Sequence, residues 1–101
     1  MNQEIGIIAV DFDGTLCADR YPEIGRANED LIQYLKHMKQ RGSKLILWTC
    51  RCSQPLEHAL DWCLTQGLEF DAVNENVPEI IERYGSNSRK IYADLYFDDK
   101  A

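Results

Sequence analysis

The chain has 101 residues, 45% of them hydrophobic and 28% charged, with six glycines and three prolines. That length suits one domain, and that mix excludes collagenous, low-complexity and disordered chains. Eleven Lys and Arg stand against seventeen Asp and Glu, a net charge of −6 at pH 7, so there is no broad basic footprint for a nucleic-acid backbone or an anionic membrane.

Residues 5–10 (Ile-Gly-Ile-Ile-Ala-Val) are short, β-branched and apolar on both faces, which predicts a central parallel strand covered on both sides. This longest apolar run is far below the roughly 18 residues of a membrane span. The first residues lack the basic and apolar regions of a signal peptide, so the expected compartment is the cytoplasm. Asn28 is a good N-cap, Glu29 and Asp30 suit a positive helix start, and Leu31, Tyr34, Leu35 and Met38 recur at helical spacing before Arg41 and Gly42. Lys44 to Thr49 predicts a second buried strand. After Ser53 and Pro55, the stripe Leu56, Ala59, Leu60, Cys63 and Leu64 predicts a second helix closed by Gly67.

Leu68 to Val73 reads as a third strand, a short helix holding Ile80, Ile81 and Tyr84 follows Pro78, and Ile91 to Phe97 reads as the last strand. Strands alternating with helices imply right-handed βαβ units and a parallel sheet. The expectation is one three-layer α/β domain over residues 1–101, with no repeat or linker. Cys17, Cys50, Cys52 and Cys63 form no Cys-x-x-Cys pair, and neither His37 nor His58 stands at zinc-ligand spacing from them. They read as reduced thiols, mostly small apolar fillers. Trp48 and Trp62 read as core, and His37 as a solvated imidazole off the apolar stripe.

In an open parallel sheet, ligands bind at the carboxyl ends of the strands, near the point where strand order reverses. The polar clusters of this sequence fall there: Asp11-Phe12-Asp13-Gly14-Thr15 after the first strand, Thr49-Cys50-Arg51 after the second, and Asp98-Asp99 after the last, with Arg89 and Lys90 just before it. Four carboxylates converging on one place repel one another unless a divalent cation offsets them, and magnesium suits hard oxygen donors. Arg51 reads equally as a guanidinium fork for a second substrate group and as one half of an exposed salt bridge.

The order of these pieces resembles the haloacid dehalogenase-like superfamily of phosphohydrolases over nearly the whole chain. Asp11-Phe-Asp13-Gly14-Thr15 matches its first motif, Thr49 its second, Lys90 its third, and Tyr96-Phe97-Asp98-Asp99 its acidic fourth; the stretches 46–51 and 93–99 are similar to small capless members. The resemblance implies a Rossmann-like α/β/α fold with sheet order 3-2-1-4 and no cap domain. It also implies a magnesium-dependent phosphomonoester hydrolase working through an aspartyl-phosphate. Asp11 would be the nucleophile, Asp13 the general acid and base, and Thr49 and Lys90 the groups holding the transferring oxygens. Gly14, Thr15, Cys50 and Arg51 would border the substrate, and Asp11, Asp13 (through its carbonyl) and either Asp98 or Asp99 would hold magnesium.

Dehalogenase members lack an acid where Asp13 stands, which favours a phosphoester. Residues 16–27 leave room only for a flap around Tyr21-Pro22, so the site is expected to be open. A small phosphorylated metabolite, a nucleotide or an oligonucleotide end then fits better than a membrane or duplex partner. Family members usually continue into a further strand and helix, so the last strand is expected to be an uncovered edge, open to pairing with a second copy. Two rivals use similar residues: a receiver-like module phosphorylated on aspartate, and a non-catalytic truncated remnant.

Overall fold

The computed structural model describes residues 6–75, 77 and 93–98. Ile7–Val10 form β1, and all four side chains are buried, as a strand covered on both faces requires. Lys44–Leu47 form β4, Ala72–Val73 form β5 and Leu95–Phe97 form β6, all parallel in a sheet ordered β5-β4-β1-β6. This is the expected strand order. The register pairs Val10 with Leu47 on one side and with Phe97 on the other, so three strand ends lie side by side. Between β1 and β4 come an antiparallel hairpin, β2 (Cys17–Arg20) and β3 (Glu23–Ala27), and helix α1 (Glu29–Gln40); helix α2 (Ser53–Thr65) joins β4 to β5.

Both helices pack on one face of the sheet. Ile8, Val10, Leu45 and Leu47 form a core with Ile32 and Leu35 of α1 and with Ala59 and Cys63 of α2. From β1 to β4 to β5 the chain steps twice in the same direction, and right-handed crossovers then place both connecting helices on the same side. Each fully buried Leu or Ile here contributes on the order of 2 kcal/mol. On the opposite face Ile7, Ala9 and Ile46 are buried with Ala72 and Val77. The helix expected after Pro78, and with it the third layer, lies outside the described residues. So do Ile91 and Tyr92 of the expected last strand. No helix among the described residues is long and apolar enough to cross a membrane.

Helix α1 starts as its sequence predicts: the Asn28 side chain accepts a hydrogen bond from the Leu31 N–H at 3.2 Å, and Glu29 and Asp30 occupy the first turn. The third strand is shorter than expected. Asp71 donates its N–H to the Leu45 carbonyl at 2.8 Å, and its carboxylate accepts the Leu45 N–H at 2.8 Å, so a side chain takes the place of a ladder carbonyl. Asp94 does the same ahead of β6: its N–H donates to the Ile7 carbonyl, and its carboxylate accepts the N–H groups of Ile7 and Gly6. Leu64, expected on the buried stripe of α2, is exposed. Trp48, expected in the core, is 45% exposed, because β4 has ended at Leu47 and the chain is turning toward Thr49.

Candidate active site at the ends of β1 and β4

The sheet order reverses at β1, which steps to β4 on one side and carries β6 on the other. Beyond their carboxyl ends, an open α/β sheet leaves its crevice there. Asp11 is the first residue past β1 and stays tied to β6 through its N–H, which donates to the Phe97 carbonyl at 2.9 Å. Phe12 is fully buried and stacks edge-on against Trp62, so the residue between the two acids anchors them to the core. The chain then reverses in a tight turn: Thr15 and Leu16 donate to the Phe12 carbonyl at 3.2 and 3.0 Å. Gly14 takes φ +84°, a conformation that costs a residue with a Cβ but not glycine.

The hairpin β2–β3 is the flap, with Tyr21 and Pro22 at its tip. Its register shifts between Cys17 and Asp19, where Gly25 and Arg26 stand opposite the single residue Ala18, a β-bulge. Gly25 comes so close to the facing strand that a Cβ on it would overlap the Ala18 carbonyl.

Under this flap lies a cleft of about 520 Å³ lined by Asp11, Asp13, Asp19, Tyr21, Thr49, Cys50 and Arg51. Arg51 is 2% exposed and forms a two-pronged ion pair with Asp13: Nε donates to one carboxylate oxygen and Nη2 to the other, each at 2.8 Å. Its remaining N–H groups donate to the carbonyls of Pro22, Glu23 and Pro55, at 2.8 to 3.2 Å. The hydrogen bonds Arg51 donates to Asp13 raise the guanidinium pKa above its already high value, against the burial that opposes it. Thr49 is half-buried; its hydroxyl oxygen accepts the Arg51 N–H at 3.1 Å, and its own N–H donates to the Asn74 side chain at 2.7 Å.

The structure thus gathers Asp11, Asp13, Thr49, Cys50 and Arg51 in one cleft. Gly14, Thr15 and Asp98 line a neighbouring cleft with Asn28, Asp30, Leu31, Tyr34 and Phe97, and the Thr15 hydroxyl oxygen is buried there without a hydrogen bond. Lys90, Arg89 and Asp99 lie outside the described residues. Arg51, read as a substrate fork or an exposed salt bridge, is instead buried, with all five of its donors taken by protein acceptors.

Tyr21 lines the cleft from the flap expected around Tyr21-Pro22. Two participants escaped the sequence reading. Asp19 reaches the cleft because the flap folds over it, and flap pairing leaves no periodic signal. Asn74 positions Thr49 from a left-handed conformation at φ 55°, which asparagine tolerates better than most residues. An Asn just past a strand is the one hint the sequence held.

Among the described residues, no group of three or more His, Cys, Asp or Glu side chains is gathered that could hold a metal ion. Asp11 and Asp98 carry hard oxygen donors of the kind magnesium takes. Asp11 and Asp98 directly follow the paired residues Val10 and Phe97, so two hard carboxylates leave adjacent strand ends. Magnesium keeps much of its water and is commonly held by one or two carboxylates with substrate phosphate. The side chain of Asp13 is committed to Arg51.

Among solved structures the chain is similar to a conserved protein from Bacteroides thetaiotaomicron, with 45% identity, coverage of 94% of this chain and 76% of that one, and a TM-score of 0.81. The chain belongs to the same family as that protein. No family model and no curated protein matches it.

Proposed function

We propose that the protein is a capless phosphomonoester hydrolase of the haloacid dehalogenase-like type, dependent on magnesium. The observation that carries this reading is the pair Asp11 and Asp13 at the carboxyl end of β1, where sheet order reverses, sharing one cleft with Thr49. A carboxylate oxygen of Asp11 attacks phosphorus in line, the bond to the leaving oxygen breaks, and Asp13 supplies that oxygen's proton. Asp13 then takes a proton from water as the water oxygen attacks phosphorus. The bond from phosphorus to Asp11 breaks, and inorganic phosphate leaves.

The Thr49 hydroxyl and Lys90 hold the oxygens of the transferring group. Magnesium, when bound, would neutralise charge between carboxylate and phosphate; Asp11, the Asp13 carbonyl and either Asp98 or Asp99 are the groups that would hold it. A cleft of about 520 Å³ under the flap suits a small phosphorylated metabolite, a nucleotide or an oligonucleotide end. The receiver alternative is less well supported, because receivers carry their phosphorylated aspartate after the third strand, and here β5 is followed by Asn74.

The test is steady-state hydrolysis of an aryl phosphate with magnesium. Wild type turns over, Asp11→Asn does not, and Asp13→Asn loses about 10²- to 10⁴-fold with alkyl esters, which need leaving-group protonation, and less with aryl esters. Activity that survives in Asp11→Asn refutes the assignment. Uptake of one phosphate from acetyl phosphate without monoester turnover would favour the receiver.

A further inference from the structure

We infer that Arg51 is a positioning residue that fastens the Asp13 carboxylate and the β2–β3 flap into a single unit. The inference rests on the hydrolase reading for the role of Asp13, and on geometry alone for the fastening. A cation in a cleft meant for phosphate would ordinarily be assigned to the substrate. Here the guanidinium has nothing left to offer one. Two of its five N–H groups bond the two oxygens of Asp13, and the other three bond backbone carbonyls of Pro22, Glu23 and Pro55. Two aromatic rings hold it as well: Cζ lies over the faces of Phe12 and Tyr21, 4.9 and 5.0 Å from their centres.

The acceptors come from three different parts of the chain. Asp13 belongs to the turn after β1, Pro22 and Glu23 to the flap, and Pro55 to the first turn of α2. Two parallel bonds to one carboxylate fix its plane as well as its position, which a single bond cannot do. Each oxygen uses one lone pair on Arg51 and keeps the other for the proton it gives and takes. Moving the flap away from the cleft breaks the bonds to Pro22 and Glu23 and separates the Tyr21 ring from the guanidinium. The same movement leaves a buried charge short of partners, so the flap and Asp13 shift together or not at all. Lysine cannot replace this arrangement, because its three donors radiate from one atom and offer neither fork nor flat face.

The experiment compares wild type, Arg51→Lys and Asp13→Asn by two readouts. The first is turnover of an alkyl phosphate and of a nitrophenyl phosphate. Arg51→Lys should lower the alkyl rate about 10²-fold and the nitrophenyl rate less than about tenfold, because only the poor leaving group depends on a well-placed proton donor. A merely structural role moves both rates equally, and that result overturns the positioning role. The second readout is amide hydrogen exchange across residues 17–27, which should quicken about tenfold in both variants as the flap is released. Unchanged exchange in both overturns the fastening. Should Arg51→Lys fail to fold, Asp13→Asn, which keeps Arg51, carries the exchange comparison. A wild type inactive on every monoester refutes the hydrolase reading and the catalytic part of this inference, and exchange then decides the fastening by itself.

Discussion

Replacing Gly25 with alanine tests the flap where it is tightest. The new Cβ would stand 2.3 Å from the Ala18 carbonyl oxygen and 2.9 Å from both the carbonyl carbon and Cβ of Ala18. Ordinary contact begins near 3.4 Å, so the facing backbone must retreat by about 1 Å, and backbone in a paired hairpin has no rotamer with which to do so. Overpacking of this kind costs about 1–3 kcal/mol. If the retreat also carries Pro22 and Glu23 off Arg51, part of two hydrogen bonds to a charged donor is lost, each contributing about 1.5–3 kcal/mol.

A net destabilisation of about 2–4 kcal/mol corresponds to a fall in Tm of about 10–20 °C for a domain of this length. Gly42→Ala is the control: its φ of +101° strains alanine, yet its Cβ meets nothing within 4 Å, so it should lose only about 1 kcal/mol. Thermal unfolding followed by circular dichroism measures both. A Gly25→Ala protein melting within about 2 °C of wild type would refute the close approach and the role given to the bulge.

Asn28→Ala should lower Tm by about 5–10 °C, since it removes the α1 cap and the donation from the Asn28 side chain to the Thr15 carbonyl at 3.0 Å, while Asn28→Asp should recover most of the cap. Equal melting of Asn28→Ala and wild type would discount the cap. Burial pushes the Cys63 thiol from 9.0 up to about 12, and Cys17 moves in the same direction, mainly through burial. A folded pKa above the unfolded one gives stability that is complete below pH 9 and is lost as pH rises toward 12, at about 1.4 kcal/mol per pH unit for Cys63. Urea midpoints measured from pH 8 to 11 should therefore fall for wild type and fall less steeply for Cys63→Ala; identical slopes would contradict the burial of this thiol.

The parallel sheet, the buried β1 and the cap of α1 were legible because each follows from local pattern: alternating elements, an all-apolar run, and Asn before two acids; the strand order came from the family resemblance. The flap was legible only as a gap to be filled. Cys-Ala-Asp-Arg and Glu-Ile-Gly-Arg-Ala alternate too poorly to announce β2 and β3, and Tyr-Pro is not a common two-residue hairpin turn. Asp11, Asp13 and Thr49 were placed by their position after apolar runs. The partner of Arg51 was not, since charge and spacing say nothing about which acceptors a flexible side chain reaches across 38 positions to Asp13. Asp71 shortened the third strand for a related reason: a carboxylate can stand in for a main-chain carbonyl, and a hydropathy pattern cannot register the exchange.

Asp71 and Asp94 also bear on how the outer strands find their place. β5 and β6 are two and three residues long, too short for a run of ladder bonds to decide alignment. Each aspartate, however, closes a ring with one residue of its neighbour, giving its own N–H and receiving the neighbour's: Asp71 with Leu45, Asp94 with Ile7. A slip by a single position would open that ring and turn every following side chain to the wrong face. Two of the seventeen acids in this negatively charged chain thus serve as keys, each fitting one notch of the inner strand beside it.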